Sequence, residues 1–179
     1  MKLLFFIVLL IVANAYVIPK RYPHMGQCSN PWRDDIMVTK TICQVGCLMT
    51  SIASGLNGHG ISISGSSSNP RLLNHYLQNH GGYVQGQLLV YAAVTRINPG
   101  RLSYVGSYNG QGSISTSTLK NYLDAKSYIV VGQVRSGGHY VLIDGYSSDL
   151  KSFHVMDPGY SVDSYTYASI TGYRVYRVA

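Results

Sequence analysis

The spacing of apolar residues predicts a helix that begins near residue 47, late in the first third of the chain. Its apolar stripe consists of Leu48, Met49, Ile52, Ala53 and Leu56. This spacing is helical, and Asn57-Gly58 is a typical helix stop, so the helix is predicted over about residues 47–57. Similar stripes and capping residues predict three further helices, at about residues 70–79, 86–97 and 115–126.

The second half of the chain carries strand patterns. A strand is predicted at "RLSYVGSY", residues 101–108, and an antiparallel sheet at about residues 128–178. Inside that sheet, "SGGHYVLIDGY" and "FHVMDPGY" flank the turn "SSDLKS" and predict a hairpin. Pairing within a residue or two would bring His139 opposite Asp157 or Pro158. The predicted class is α+β, with a loop at residues 62–69 and no internal repeat.

The N-terminus predicts a signal peptide over residues 1–15. An apolar run from Leu3 to Ala13 follows Lys2 and ends in Ala13-Asn14-Ala15, a small-x-small cleavage pattern. The run is short for a membrane span, so no membrane anchor is expected. The chain is therefore expected to be secreted or delivered to a lumen such as that of the lysosome or phagosome. Lys20-Arg21 leaves open whether residues 16–21 form a short propeptide.

Composition and charge narrow the class of the mature protein. Residues 16–179 are expected to form a single domain, since roughly 160 residues suffice for one core. The chain is 46% hydrophobic and 12% charged, with 16 Tyr and 19 Gly, which suits a β-rich extracellular protein. Its net charge of +7 is scattered and lacks a basic, aromatic platform, so nucleic acid is not an expected partner. Weak attraction to anionic surfaces such as bacterial walls remains open.

The chain has three cysteines, an odd number for an oxidising compartment. Cys43 and Cys47 would be poorly placed for a disulfide if they shared one helix. A bridge from Cys28 to Cys43 would close a polar, turn-rich loop and leave Cys47 free. Two alternatives are an inert buried thiol and a zinc site on Cys43-x-x-x-Cys47. The zinc site lacks a second Cys or His pair, so no metal is expected.

The position of Cys47 at the start of the first helix indicates a nucleophile. Backbone N–H groups and the helix dipole favour a thiolate there, and Gly46 allows another backbone to approach. His139 is the preferred base, because Gly137 and Gly138 leave room for a substrate backbone beside its ring. His154, in mid-strand without flanking glycines, is the alternative base. Asp157 is the expected orienter of His139, although Asp-Pro-Gly also suits a plain turn.

These segments together resemble a known family. "GCLMTSIASGLN", "GGHYVLIDGY" and "VMDPGY", with "GQCSNPWRDD" upstream and "GGYVQGQLLVYAAV" between them, resemble papain-like cysteine peptidases. The resemblance is to the C-39-like branch, relatives of bacteriocin-leader-processing peptidases. It spans about residues 22 to 160, and the order of the segments makes it fairly specific.

The resemblance implies a fold and a set of roles. The fold would be papain-like, with an N-terminal helical half whose nucleophile helix packs on a C-terminal antiparallel sheet. Cys47 would be the nucleophile, His139 the general base, Asp157 the orienter and Gln27 the donor to the oxyanion. Gln44 is an alternative donor that would lie almost on the helix.

The sequence departs from papain itself at two points. Leu48 stands where papain has an aromatic residue, and Asp157 where papain has Asn. Gly46 and Gly138 are expected beside the substrate.

The expected function is that of a secreted cysteine peptidase without a cofactor. Its substrate would be a peptide or protein, cleaved through a thioester, and the enzyme is expected to be a monomer. One alternative is an amidase or endopeptidase that uses the same residues on bacterial cell-wall peptide. Another is a catalytically silent binding module of the same fold.

Overall fold

A computed structural model describes residues 15–179 of the chain. The predicted signal peptide lies outside the described residues except for Ala15. In the part that is described, no helix is both long and apolar enough to cross a membrane.

Four α-helices are present in the described chain. They are α1 (Ile42–Val45), α2 (Cys47–Gly58), α3 (Pro70–Asn79) and α4 (Thr116–Asp124), and 3₁₀ helices span Tyr91–Ile97 and Tyr167–Ser169. The predicted helices at 47–57, 70–79 and 115–126 are thereby confirmed within a few residues. Asn69 caps α3 by accepting from Leu72 N, and Ser115 caps α4 by accepting from Thr118 N. Side-chain caps of this kind satisfy backbone donors that the first turn leaves free.

The strands form one large antiparallel sheet and two small hairpins. The strands are β1 (Tyr16–Val17), β2 (Ser62–Ile63), β3 (Ser66–Ser67), β4 (Tyr83–Val84), β5 (Leu88–Leu89), β6 (Leu102–Asn109), β7 (Tyr128–Val134), β8 (His139–Ser147), β9 (Ser152–Met156), β10 (Ser164–Thr166) and β11 (Gly172–Val178). The large sheet has the order β10-β9-β8-β7-β11-β6, with β1 paired to β8. The α+β class with a large antiparallel sheet is therefore confirmed.

The large sheet is covered by helices on both faces. On one face, Ile52 and Leu56 of α2 share an apolar core with Ile129, Val131 and Leu142 of β7 and β8. On the other face, Leu119 and Leu123 of α4 pack with a second core that includes Val130 and Val134. Alternate residues of β7 thus point into opposite cores, because successive side chains of a strand lie on opposite faces of the sheet. The start of α2 consequently lies against the central strands.

The prediction of a helix at residues 86–97 is wrong. Gln85 and Gly86 have positive φ and form the turn between β4 and β5, and the following 3₁₀ helix begins only at Tyr91. The i+3 hydrogen bond from Ala93 N to the Val90 carbonyl, 2.9 Å, marks this tighter winding. Ala93 and Val94 are fully buried, so tertiary packing fixes this segment rather than helix propensity.

Two other segments, for which no strand was predicted, contain strand pairs. The loop expected at 62–69 is the hairpin β2–β3, which turns through Ser64 and Gly65 at positive φ. At the N-terminus, Tyr16 and Val17 pair with Ser147 and Tyr146. Residues 16–17, part of the possible propeptide, are thus integrated into the large sheet.

Candidate active site

Cys47 is the first residue of α2, as the apolar stripe predicts. Gly46 is the N-cap, and its carbonyl accepts from Thr50 N at 2.8 Å. A Cβ on Gly46 would lie 2.5 Å from the Ile42 carbonyl oxygen of α1. The glycine therefore permits a close backbone approach, as expected, but the approaching backbone is that of α1. Gly46 is not among the residues that line the cleft.

The hairpin β8–β9 brings His139 and Asp157 together. Leu142 pairs with Met156, so β8 begins beside the residues that follow β9. His139 Nε2 lies 2.7 Å from Asp157 Oδ1, and both side chains are almost completely buried. The register shifts once between Ile143 and Gly145, within the tolerance of a residue or two that the sequence allowed.

The His139 ring and the Cys47 thiol line the same cleft. Because Nε2 is engaged by Asp157, Nδ1 is the ring nitrogen left for the sulfur. Burial disfavours the imidazolium, but the hydrogen bonds with Asp157 and Cys47 outweigh it and raise the pKa of His139 from 6.5 to about 9. A protonated His139 beside Cys47 can stabilise a thiolate.

Asp157 is held ionised by hydrogen bonds at both of its oxygens. Oδ1 accepts from Gly159 N at 2.9 Å and Tyr160 N at 3.0 Å, in addition to His139. Oδ2 accepts from the Tyr165 hydroxyl at 2.9 Å. Burial acts to raise the pKa of Asp157, but these donors and His139 lower it below its ordinary value.

Gln27 is tied to the same site by the predicted disulfide. Cys28 and Cys43 form that disulfide, and Cys47 is a free thiol. Gln27 N donates to the Pro158 carbonyl at 2.7 Å, and Gln27 Nε2 donates to the Cys43 carbonyl at 2.7 Å. A primary amide has two N–H groups, so the second N–H of Gln27 remains to serve an oxyanion.

Gln44 is engaged in a helix cap. Its side-chain oxygen accepts from Thr41 N at 3.0 Å, while Gln44 N donates to Thr41 Oγ1, which is a reciprocal capping box. Gln44 also lies along the wall of the cleft. The oxygen of its amide, however, is committed to the start of α1.

A cleft of about 550 Å³ connects these groups. Its lining includes Gln27, Cys47, Gly138, His139 and Gly159, together with apolar and aromatic side chains such as Leu89. A Cβ on Gly159 would lie 3.0 Å from His139 Cε1 and 3.2 Å from Gln27 Oε1, so a side chain at this position would crowd both. The cleft is large enough for several residues of an extended peptide.

The alternative base, His154, lies in a different pair. His154 Nδ1 is 2.5 Å from Asp144 Oδ1, and its ring packs at 5.5 Å from the ring of Tyr16. His154 does not line the cleft. Among residues 15–179, no three His, Cys, Asp or Glu side chains cluster closely enough to hold a metal ion.

Comparison with known families agrees with the sequence resemblance. The model of the Peptidase_C39 like family matches residues 20–177. The chain belongs to this family. The match covers all the residues that line the cleft, from Gln27 to Tyr160. No curated protein matches the chain.

Three residues of this C39-like site were not singled out from the sequence. Gly159 and Tyr160 stand within the quoted segment "VMDPGY", so the segment itself pointed to them. Tyr165 is one of 16 tyrosines, and nothing in its local pattern distinguishes it. Its role depends on the pairing of β10 with β9, which returns the chain toward Asp157.

Proposed function

We propose that this member of the C39-like family is a secreted cysteine peptidase that hydrolyses peptide bonds through Cys47, His139 and Asp157. The observation that carries the proposal is the buried His139–Asp157 pair, whose histidine lines the same open cleft as the free thiol at the start of α2. A thiol, a base and an orienting carboxylate in this order suit nucleophilic acyl transfer.

The arrangement supports a two-step mechanism. The Cys47 thiolate attacks the carbonyl carbon, and the electron pair of the C=O bond moves onto oxygen. Gln27 Nε2–H and the Cys47 backbone N–H donate to this oxyanion. The intermediate collapses to a thioester as the imidazolium of His139 gives its proton to the departing amine. His139 then takes a proton from water, which attacks the thioester and releases the acid and the thiolate.

The wider structure agrees with a papain-like enzyme outside the cytosol. Packing of α2 on the antiparallel sheet, with the cleft between them, is compatible with a papain-like fold. The Cys28–Cys43 disulfide is typical of an oxidising compartment, in support of secretion or a lysosomal or phagosomal lumen. The apolar lining of the cleft suits uncharged peptide side chains.

A second candidate is cleavage of bacterial cell-wall peptide by the same groups. The net charge of +7 favours it, because anionic cell walls attract basic proteins.

The test incubates the mature chain with fluorescein-labelled casein and, separately, with purified peptidoglycan. Cys47→Ala serves as the matched inactive control. Casein cleavage that is lost in Cys47→Ala supports the peptidase, and release of stem peptides alone supports the cell-wall enzyme. Activity of equal size in Cys47→Ala would exclude the thiol mechanism. Inactivity on both substrates, with no selective alkylation of Cys47, would favour the silent module.

A further inference from the structure

The two oxygens of the Asp157 carboxylate have unequal support. Three donors converge on Oδ1, namely His139 Nε2 and the backbone N–H groups of Gly159 and Tyr160. The Tyr165 hydroxyl is the donor to Oδ2 within residues 15–179, and the O–O distance is 2.9 Å. Asp157 is only 2% exposed, so water cannot readily replace a lost donor. A buried carboxylate oxygen without a partner is costly.

Tyr165 is itself fixed by a charged residue from the turn that precedes His139. Arg135 Nε donates to the Tyr165 hydroxyl at 3.3 Å, and the Arg135 guanidinium lies 3.7 Å from the centre of the Tyr160 ring. The Tyr160 ring in turn meets the His139 ring edge to face at 5.0 Å. These contacts link the β7–β8 turn, β10 and the loop after β9 to one another.

We propose that Tyr165 is a positioning residue that holds Asp157 in the orientation in which it aligns His139 with Cys47. The proposal rests on the proposed function and assigns a further residue to the same active site. With Tyr165 in place, Oδ1 is committed to His139 and Oδ2 to the hydroxyl. Without it, the carboxyl group gains by rotating to share its remaining donors between the two oxygens. His139 then loses a defined partner at Nε2.

The Tyr165 hydroxyl also helps to keep Asp157 ionised. Burial and the neighbouring Asp157 raise the pKa of Tyr165, so the hydroxyl retains the proton that it donates. The groups that face Asp157 from the surrounding elements are His139 from β8, Gly159 and Tyr160 from the following loop, Tyr165 from β10, Arg135 from the β7–β8 turn and His24, whose Nε2 lies 2.8 Å from the Asp157 carbonyl oxygen. Removal of the Tyr165 donor should therefore make Asp157 easier to protonate.

The test is Tyr165→Phe, which removes only the hydroxyl. Tyr165 is not among the residues that line the cleft, so KM for labelled casein should stay within about twofold of wild type while kcat falls roughly tenfold. The acid limb of Cys47 labelling by iodoacetamide, which is the fall in labelling rate at low pH, should move upward, because a less firmly ionised Asp157 gives less support to the His139 imidazolium beside the thiolate. A purely structural role would not move this limb.

Tyr167→Phe is the matched control. It is the same substitution two residues further on, and its hydroxyl donates to the Ile114 carbonyl at 2.7 Å, away from Asp157. We expect a lower melting temperature for this variant with unchanged kcat, KM and acid limb. Equal losses of kcat in the two variants would show that kcat reports general loosening of the fold, and would overturn the proposal.

A second variant keeps the proposal testable if Tyr165→Phe does not fold. Arg135→Gln leaves the hydroxyl on Asp157 but removes the charged donor behind it, and should lower kcat about threefold with the same direction of acid shift. Wild-type kcat and acid limb in the folded variants would overturn the proposal.

One readout separates this proposal from the proposed function. If the wild-type chain cleaves nothing, the ¹⁵N chemical shifts of the His139 ring, recorded above its pKa of about 9 where the ring is neutral, still report its tautomer. We expect a proton on Nε2 in the wild type and a mixture of tautomers in Tyr165→Phe. An unchanged tautomer would refute the positioning role, whether or not the chain is a peptidase.

Discussion

Replacing Gln27 with alanine removes the side-chain amide that is expected to donate to the oxyanion. The loss of one such donor typically raises the activation barrier by about 2.7–4 kcal/mol, so kcat should fall roughly 100- to 1,000-fold. The free energy of unfolding should change little by comparison. The variant loses the 2.7 Å hydrogen bond to the Cys43 carbonyl, worth about 0.5–1.5 kcal/mol. It also loses Gln27 Oε1, a buried oxygen without a partner in the described chain, and this partly offsets the cost.

Gln44→Ala is the matched control, because it deletes the same amide from a residue close to the nucleophile. It removes the 3.0 Å capping hydrogen bond from Thr41 N and should lower the free energy of unfolding by about 0.5–1.5 kcal/mol. Its kcat should stay within about threefold of wild type, since the amide oxygen holds this side chain at the cap of α1. Casein cleavage and thermal unfolding, measured on both variants, decide between the two glutamines. A Gln27→Ala enzyme with near-normal kcat, or a Gln44→Ala enzyme with the larger loss, would refute this assignment.

Three other outcomes are expected of the same site. In the native mature chain iodoacetamide should label only Cys47, and Cys28 and Cys43 should be labelled only after reduction. Reduction of this disulfide should lower the free energy of unfolding by about 3 kcal/mol. Labelling of Cys28 in the native chain, detected by peptide mass mapping, would contradict this. His139→Ala should abolish casein cleavage, and Asp157→Asn should reduce kcat roughly 10- to 150-fold by weakening a hydrogen bond to a charged group. A wild-type kcat in Asp157→Asn would leave Asp157 without an orienting role. Cleavage should also decline as pH rises through about 9, where His139 loses the proton needed by the leaving amine, whereas Cys47 labelling, which needs only the thiolate, should persist; parallel decline in both pH profiles would argue against this assignment.

Much of the site follows from local sequence signals. The start of α2 at Cys47 is specified by its apolar stripe and by Gly46 before it, since helix periodicity and termini are encoded within a few residues. The juxtaposition of His139 and Asp157 follows from one short turn, because the position of a hairpin turn fixes which residues pair. The Cys28–Cys43 disulfide was also predicted, because this bridge closes a polar, turn-rich loop and leaves Cys47 free.

The tertiary structure alone decided the parts that depend on distant neighbours. The apolar segment after Gly86 has a helical composition, yet Ala93 and Val94 pack into the core from a 3₁₀ helix, because burial outweighs a propensity difference of a few tenths of a kcal/mol per residue. The support of Asp157 by Tyr165 exists because β10 pairs with β9, a contact that no single window of sequence contains. Sequence therefore determined the positions of Cys47 and His139 and their local elements, whereas the packing of separate elements decided the wall of the cleft and the second support of the carboxylate. The physical reason is the separation along the sequence over which each effect acts. Turns and helix ends are set by neighbouring residues, whereas burial is set by the whole chain.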